Sequence, residues 1–126
     1  GDLCDLAAQV DFLVAAVPGG IETRHIFDER VLAAMQSHTH LINISRGDVV
    51  EELALISALQ AGSIGGAGLD VYEYEPKVPK ELIELENVTL LPHLGTAALE
   101  VRTAMGLMAI DNLKAFFAGK VSPNAV

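Results

Sequence analysis

Residues 41–48 read LINISRGD, and the rest of the chain falls into place around them. Residues 41–45 are a short, continuous apolar run, the pattern of a strand buried on both faces of a parallel sheet. Arg46-Gly47-Asp48 breaks the run as a turn. Asp48 and Glu51 have the spacing of a capping box opening a helix. Val49, Leu53 and Ile56 follow at i, i+4 and i+7, and Gly62 stands where a helix C′ glycine belongs. Toward the N-terminus, residues 10–17 (VDFLVAAV) form a second such run closed by Pro18-Gly19-Gly20, and residues 21–35 read as helical, with Asp28 as N-cap and Val31, Leu32 and Met35 at helical spacing. Toward the C-terminus, residues 64–71 (IGGAGLDV) predict a glycine-rich strand. Residues 72–86 read as irregular, with Pro76, Pro79 and one helical turn near residues 81–85. Residues 88–91 predict a strand stopped by Pro92. Residues 97–118 predict a helix of about 22 residues, about 33 Å long, ended by Gly119.

Alternation of strand and helix predicts an α/β fold with right-handed crossovers and a parallel sheet, followed by a long C-terminal helix. Sheets of this kind place function beyond the carboxyl ends of their strands. The residues that follow the runs are Pro18-Gly19-Gly20, Ser45-Arg46-Gly47, residues 70–75 and His93-Leu94-Gly95, and the pattern predicts all four groups along one sheet edge.

Composition narrows the partners. The chain has 126 residues, about one domain, with 17 acidic and 8 basic side chains and a net charge of −9. Nucleic-acid binding needs a basic footprint, and anionic membrane repels such a surface. Apolar residues are 51% and charged residues 20%, which excludes disorder. No apolar stretch is long enough to span a bilayer and no secretion signal is visible, so the expected setting is the cytoplasm. Cys4, the single cysteine, excludes an internal disulfide and a multi-cysteine zinc site.

Several side chains at the predicted edge carry chemistry. Arg46 can fork two hydrogen bonds onto a carboxylate, or can be a solvated loop arginine. His93 can exchange a proton at neutral pH, or can cap a turn. Glu75 can orient an imidazole and favour its charged form, or can be one more surface acid. Asp70 can accept from a ligand amide or from its own turn. His38 and His40 stand at i, i+2 at the amino end of a strand and are read as surface loop, and His25, beside Arg24, as solvated. Ser45 lacks the G-x-S-x-G frame of a hydrolase. The glycines of residues 62–68 precede and fill a strand, so they cannot set a pyrophosphate at a helix N-terminus; they read as letting helix and strand pack closely.

Together these motifs resemble the D-isomer-specific 2-hydroxyacid dehydrogenases, nearest to glyoxylate and hydroxypyruvate reductases. The resemblance rests on residues 43–47 (NISRG), Gly68-Leu69-Asp70-Val71 running on to Glu75-Pro76, and Pro92-His93-Leu94-Gly95. Val17-Pro18 with Thr23-Arg24-His25 and the closing Asn124-Ala125-Val126 add support. Arg46 precedes Glu75 by 29 residues and Glu75 precedes His93 by 18. The resemblance implies an NAD- or NADP-dependent oxidoreductase. Arg46 would orient a 2-keto acid, His93 would be the general acid, and Glu75 would be its carboxylate partner. Asp70 would contact the nicotinamide carboxamide, and Val17, Pro18, Thr23, Ile44, Ser45 and Gly95 would line the cofactor. The family's first strand, glycine fingerprint and ribose-binding acid have no counterpart here. The resemblance thus implies half of a Rossmann-type doubly wound parallel sheet plus a long C-terminal helix, and residues 1–126 are read as the second half of a dinucleotide-binding domain, with residues 97–126 returning toward an absent substrate domain. Weak cofactor binding by the chain alone is the expectation, and Gly1 reads as a tag remnant. Val101, Met105 and Met108 form one apolar stripe and Ile110, Leu113 and Phe117 another, so a homodimer or swapped oligomer is expected. The alternative is a non-enzymatic, cofactor-linked dimerisation or binding module of the same fold.

Overall fold

The computed structural model describes residues 2–125. Gly1, and Val126 at the end of the closing Asn-Ala-Val, lie outside the described residues. The chain divides into two compact units, Gly1–Pro92 and His93–Val126. The first contains α1 (Leu3–Ala7), β1 (Phe12–Ala15), α2 (Glu29–Ala34), β2 (His40–Asn43), α3 (Glu52–Gln60), β3 (Gly66–Leu69), α4 (Lys80–Ile83) and β4 (Val88–Leu90). The second contains α5 (Leu99–Phe117).

The four strands form one parallel sheet in the order β1-β2-β3-β4. Leu13, Leu41, Ala67 and Val88 stand side by side in register, and so do Ala15, Asn43, Leu69 and Leu90. These rows face the core, which they build with Val31, Leu32 and Met35 of the α2 region and Leu55, Ile56 and Leu59 of α3. Because sequential strands are added in one direction, right-handed crossovers put every connecting helix on the same face. The opposite face of the sheet therefore has no helix from these connections. Phe12 and Val14 on that face remain 64% and 49% exposed, which corrects the expectation that residues 10–17 and 41–45 are buried on both sides.

The glycine-rich strand has a different purpose from the one expected. A Cβ on Gly66 would lie 2.5 Å from the Asn87 carbonyl oxygen and 2.9 Å from the His40 ring, and one on Gly68 would lie 3.1 Å from Ile42 Cδ1. Those glycines make room for the backbone before β4 and for β2 side chains, not for a helix.

Other boundaries also shift. Residues 20–25 are turns, so the predicted helix at residues 21–35 shrinks to α2. The backbone of Thr23, His25 and Phe27 is spent on bonds to Gly20, Asp48 and Val49. Asp28 does cap α2, accepting from the amides of Arg30 and Val31. The Asp48–Glu51 capping box does not form: Gly47–Val49 is a 3-10 turn, and Glu51 at the α3 N-cap makes no side-chain cap bond. Leu53 is 77% exposed, so the inward face of α3 is Glu52, Leu55, Ile56 and Leu59. Gly62 (φ +65°) and Gly119 (φ +66°) end their helices in the left-handed conformation that favours glycine. The last helix is 19 residues rather than 22, and the short α1, absent from the sequence reading, is capped by Asp2, whose carboxylate accepts from the Cys4 amide. In the second unit the tail folds back on α5, where Asn112 Oδ1 accepts from the Asn124 amide at 3.2 Å.

Candidate functional site

The carboxyl edge of the sheet is organised by one buried amide. Asn43 closes β2 with 1% exposure. Its Nδ2 donates to the Arg46 carbonyl at 2.9 Å, and its Oδ1 accepts from the Ser45 amide and hydroxyl, each at 3.1 Å. Residues 43–46 are thereby tied into a fixed turn. Ser45 is buried inside the knot, whereas Ile44 (60% exposed) and Arg46 face outward. Arg46 Nη1 donates to the Ser45 carbonyl at 2.6 Å, and the rest of the guanidinium is presented to solvent.

Gly47 brings the next loop alongside. A Cβ there would collide with the backbone carbonyl of Tyr72 and the amide of Glu73. The turn after β2 and the loop after β3 thus touch backbone to backbone, which only glycine permits. On that second loop Asp70 is buried, its amide donating to the Asn43 carbonyl at 3.0 Å. Glu75 lies on the exposed loop beyond it, and its Oε1 accepts from the Tyr72 amide at 3.1 Å. The Tyr72 hydroxyl donates to the Leu91 carbonyl at 2.8 Å, anchoring the loop to the end of β4. Burial pushes that phenol above its ordinary range.

Beyond β1, Val17, Pro18 and Gly19 join Arg46 and Asp48 around an open cleft of about 430 Å³. The Thr23 hydroxyl donates to the Pro18 carbonyl at 2.6 Å, holding the far wall. Three of the four predicted groups therefore share this edge: Pro18-Gly19-Gly20, Ser45-Arg46-Gly47 and residues 70–75, with Val17, Thr23 and Ile44 beside them. His93 and Gly95 open the second unit, His93 three residues past the end of β4 with φ +55°, a left-handed conformation uncommon outside glycine.

Three side chains escaped the sequence reading. Glu73 Oε1 pairs with Arg24 Nη2 at 3.1 Å and with His25 Nε2 at 2.9 Å, and the Glu73 side chain is only 7% exposed. His25 is thus a hydrogen-bond partner of Glu73 rather than a solvated turn residue. Glu52, buried on α3, accepts from the Glu73 amide at 3.2 Å. Burial pushes the Glu52 carboxyl up, the hydrogen bond from Glu73 opposes that, and the Glu73 charge adds to it. The third is Asn43. A buried polar side chain at a strand end (Asn43), at a helix start (Glu52) or in a loop (Glu73) leaves no periodic signal, and only a requirement that every buried polar group be satisfied would have found them. His38 pairs with Asp11 at 3.0 Å, an acidic neighbour that sequence distance concealed. Among the described residues no group of three or more His, Cys, Asp or Glu could hold a metal ion.

A parallel α/β sheet whose carboxyl edge carries a cleft, an outward arginine and a carboxylate loop is the build of a dinucleotide-linked enzyme domain. Comparison with known proteins makes this specific. The family model "D-isomer specific 2-hydroxyacid dehydrogenase, NAD binding domain" matches residues 1–95, and the chain belongs to that family. It is 52% identical over 116 residues to glyoxylate/hydroxypyruvate reductase A of Arabidopsis thaliana, covering 92% of this chain and 37% of that protein. It is 48% identical over 120 residues to hydroxyphenylpyruvate reductase of Plectranthus scutellarioides, covering 95% of this chain and 38% of that protein. Among solved structures, it superposes with a TM-score of 0.89 and 47% identity on the NADPH-dependent glyoxylate/hydroxypyruvate reductase of Sinorhizobium meliloti in complex with NADP and malonate, covering 91% of this chain and 36% of that one. The chain spans little more than a third of the relatives it matches.

Proposed function

We propose that this chain is the catalytic-edge half of the cofactor domain of a glyoxylate- or hydroxypyruvate-type reductase, transferring hydride between NAD(P)H and a 2-keto acid. The observation that carries the reading is the backbone contact at Gly47, which sets the Arg46 turn and the Glu75 loop side by side at the carboxyl edge of a parallel sheet. The residues present fit a nicotinamide nucleotide. The cleft of about 430 Å³ is within the size of small-molecule sites. Its walls are Val17, Pro18, Gly19, Arg46 and Asp48, the Thr23 hydroxyl donates to the Pro18 carbonyl, and Ile44, Ser45 and Asp70 follow directly on β2 and β3 at the same sheet edge.

In this reading Val17, Pro18, Thr23, Ile44, Ser45, Asp70 and Gly95 hold the cofactor, which supplies the hydride. The Arg46 guanidinium forks onto the carboxylate of the keto acid, fixing its carbonyl carbon. The His93 imidazolium donates its proton to the carbonyl oxygen, which becomes the hydroxyl of the product, and Glu75 holds the ring in the donating orientation. The same positive charge stabilises the oxygen as negative charge builds on it. The keto acid and NAD(P)H thus yield a 2-hydroxy acid and NAD(P)+, with one proton consumed.

The test is oxidation of NADH and NADPH with glyoxylate or hydroxypyruvate by the full-length protein that carries this segment. His93→Ala is expected to lower kcat by about 10²–10⁴, and Arg46→Lys to raise the keto-acid KM more than it lowers kcat, because an ammonium cannot form the planar fork. Undiminished turnover in His93→Ala would remove the assignment. We also propose that the acidic chain acts in the cytoplasm as a self-associated species, with a small-molecule substrate and neither nucleic acid nor membrane as partner. No helix among the described residues is long and apolar enough to cross a membrane.

A further inference from the structure

We infer that Glu73 is a positioning residue, clamping the cofactor-side loop at residues 18–26 to the loop that carries Glu75. This rests on the proposed reductase reading for its catalytic meaning, but not for its geometry. Glu73 is two residues before Glu75, and its carboxylate is almost buried. One oxygen, Oε1, takes both Arg24 Nη2 at 3.1 Å and His25 Nε2 at 2.9 Å. Both side chains belong to the turn that holds Thr23 against Pro18. The turn is itself pinned, since the His25 amide donates to the Asp48 carbonyl at 2.8 Å and the Phe27 amide to the Val49 carbonyl at 3.0 Å.

His25 holds a φ of +51°, a strained conformation for a side-chain-bearing residue that persists when its surroundings determine it. The 2.9 Å hydrogen bond with Glu73 is such a determinant. On the opposite side the Glu73 amide is taken by Glu52 Oε2 and the neighbouring Tyr72 amide by Glu75 Oε1. Displacing Glu73 therefore disturbs the hydrogen bond that orients Glu75. The Glu73 carboxylate is only 7% exposed, although Arg24 and His25 reach solvent at 56% and 32%, and a buried acceptor is costly to leave without its donors, which is why a substitution on either side should loosen both loops. The clamp thus couples the wall of the cofactor cleft to the carboxylate that would orient the general acid.

The first arm of the test uses the chain as it is and reads amide hydrogen exchange. In Glu73→Gln, exchange at residues 25, 26, 72 and 73 should rise about tenfold, a local opening that leaves the β2 and β3 amides protected. Arg24→Ala and His25→Gln should raise exchange at residues 72 and 73, although neither substitution lies in that loop. Unchanged exchange at 72 and 73 in both would overturn the clamp. The second arm uses the full-length protein. Glu73→Gln should lower kcat about tenfold, consistent with a misplaced rather than missing group, and Arg24→Lys, which preserves the pair, should retain most activity. Wild-type activity in Glu73→Gln would overturn the positioning role. If instead the unmodified full-length protein has no reductase activity, the proposed function fails, while the exchange arm still decides the clamp.

Discussion

Gly47 illustrates how one hydrogen in place of a methyl group sets the geometry of a whole edge. The Cβ that any other residue would add meets main-chain atoms of Tyr72 and Glu73, which cannot rotate away as a side chain would. Gly47→Ala must therefore separate the Arg46 turn from the Glu75 loop. Overpacking of this kind typically costs about 1–3 kcal/mol. We expect the thermal midpoint to fall and the amide resonances of residues 46–48 and 72–75 to shift together; unchanged resonances at 72–75 would refute the contact. Gly19 is a useful contrast, since a Cβ there meets first the Arg46 side chain at 2.8 Å, which can swing aside. Gly19→Ala should be milder in stability while still disturbing Arg46. At this scale the sequence exposed the residues whose types are conspicuous at strand ends, namely Arg46, Asp70, Glu75 and His93. It concealed those that tie the loops together: Asn43 looks like any strand-end polar residue, and Glu73 is one of seventeen acids until folding brings it to Arg24 and His25, 49 and 48 residues away.

At the scale of elements, short segments depend on their ends. α2 is six residues long, too short to be stable by propensity alone, and its start is fixed by Asp28, whose carboxylate accepts from the Arg30 and Val31 amides. The Val31 bond in particular, helped by the Arg30 side chain, holds the Asp28 carboxyl below its ordinary value of 3.8. A carboxyl whose pKa is lower folded than unfolded stabilises the fold fully above the unfolded value, and the gain is lost as pH falls through the folded one. Asp28→Ala should therefore cost about 1 kcal/mol at neutral pH, a fall of about 4–8 °C for a unit of this size, and the gap from the unsubstituted chain should close below pH 4. Asp28→Asn should keep most of the cap and lose this acid dependence. A gap that is constant with pH would assign the stabilisation to something other than the carboxylate. The strands, Asp28 and both helix-ending glycines were legible because period, cap and left-handed turn are local signals. The capping box at Asp48 and Glu51 was misread because the same spacing also fits a 3-10 turn, and here the backbone of that turn is engaged by His25 and Phe27 of another segment. Tertiary pairing of this kind has no imprint on local spacing.

For the whole molecule, the decisive feature is the unused face of the sheet. Parallel sheets are normally covered on both sides, yet in the first unit the helices gather on one side, and Phe12 and Val14 with Ile42 form an apolar strip across the other. The second unit brings its own surplus: α5 has no buried residue, while Val101, Met105, Met108, Leu113 and Phe117 are between 41% and 82% exposed. Apolar surface on this scale favours association, since each square ångström removed from water is worth about 25 cal/mol. A second copy of the chain offers the same surfaces, so we expect sedimentation at about 10 μM, a concentration at which interfaces of ordinary size are occupied, to show dimers or larger species. Net charge −9 opposes that contact at low salt, so association should strengthen as salt screens the repulsion. Val14→Lys places a cation in the middle of the open strip without touching the core row of Leu13 and Ala15; it should shift the population toward monomer and leave the thermal midpoint nearly unchanged. Phe117→Lys applies the same test to α5. If only Phe117→Lys dissociates the assembly, the helix carries the interface; if only Val14→Lys does, the sheet face carries it; and a chain that sediments as a monomer at high salt would mean that neither surface is sticky enough to draw a second copy.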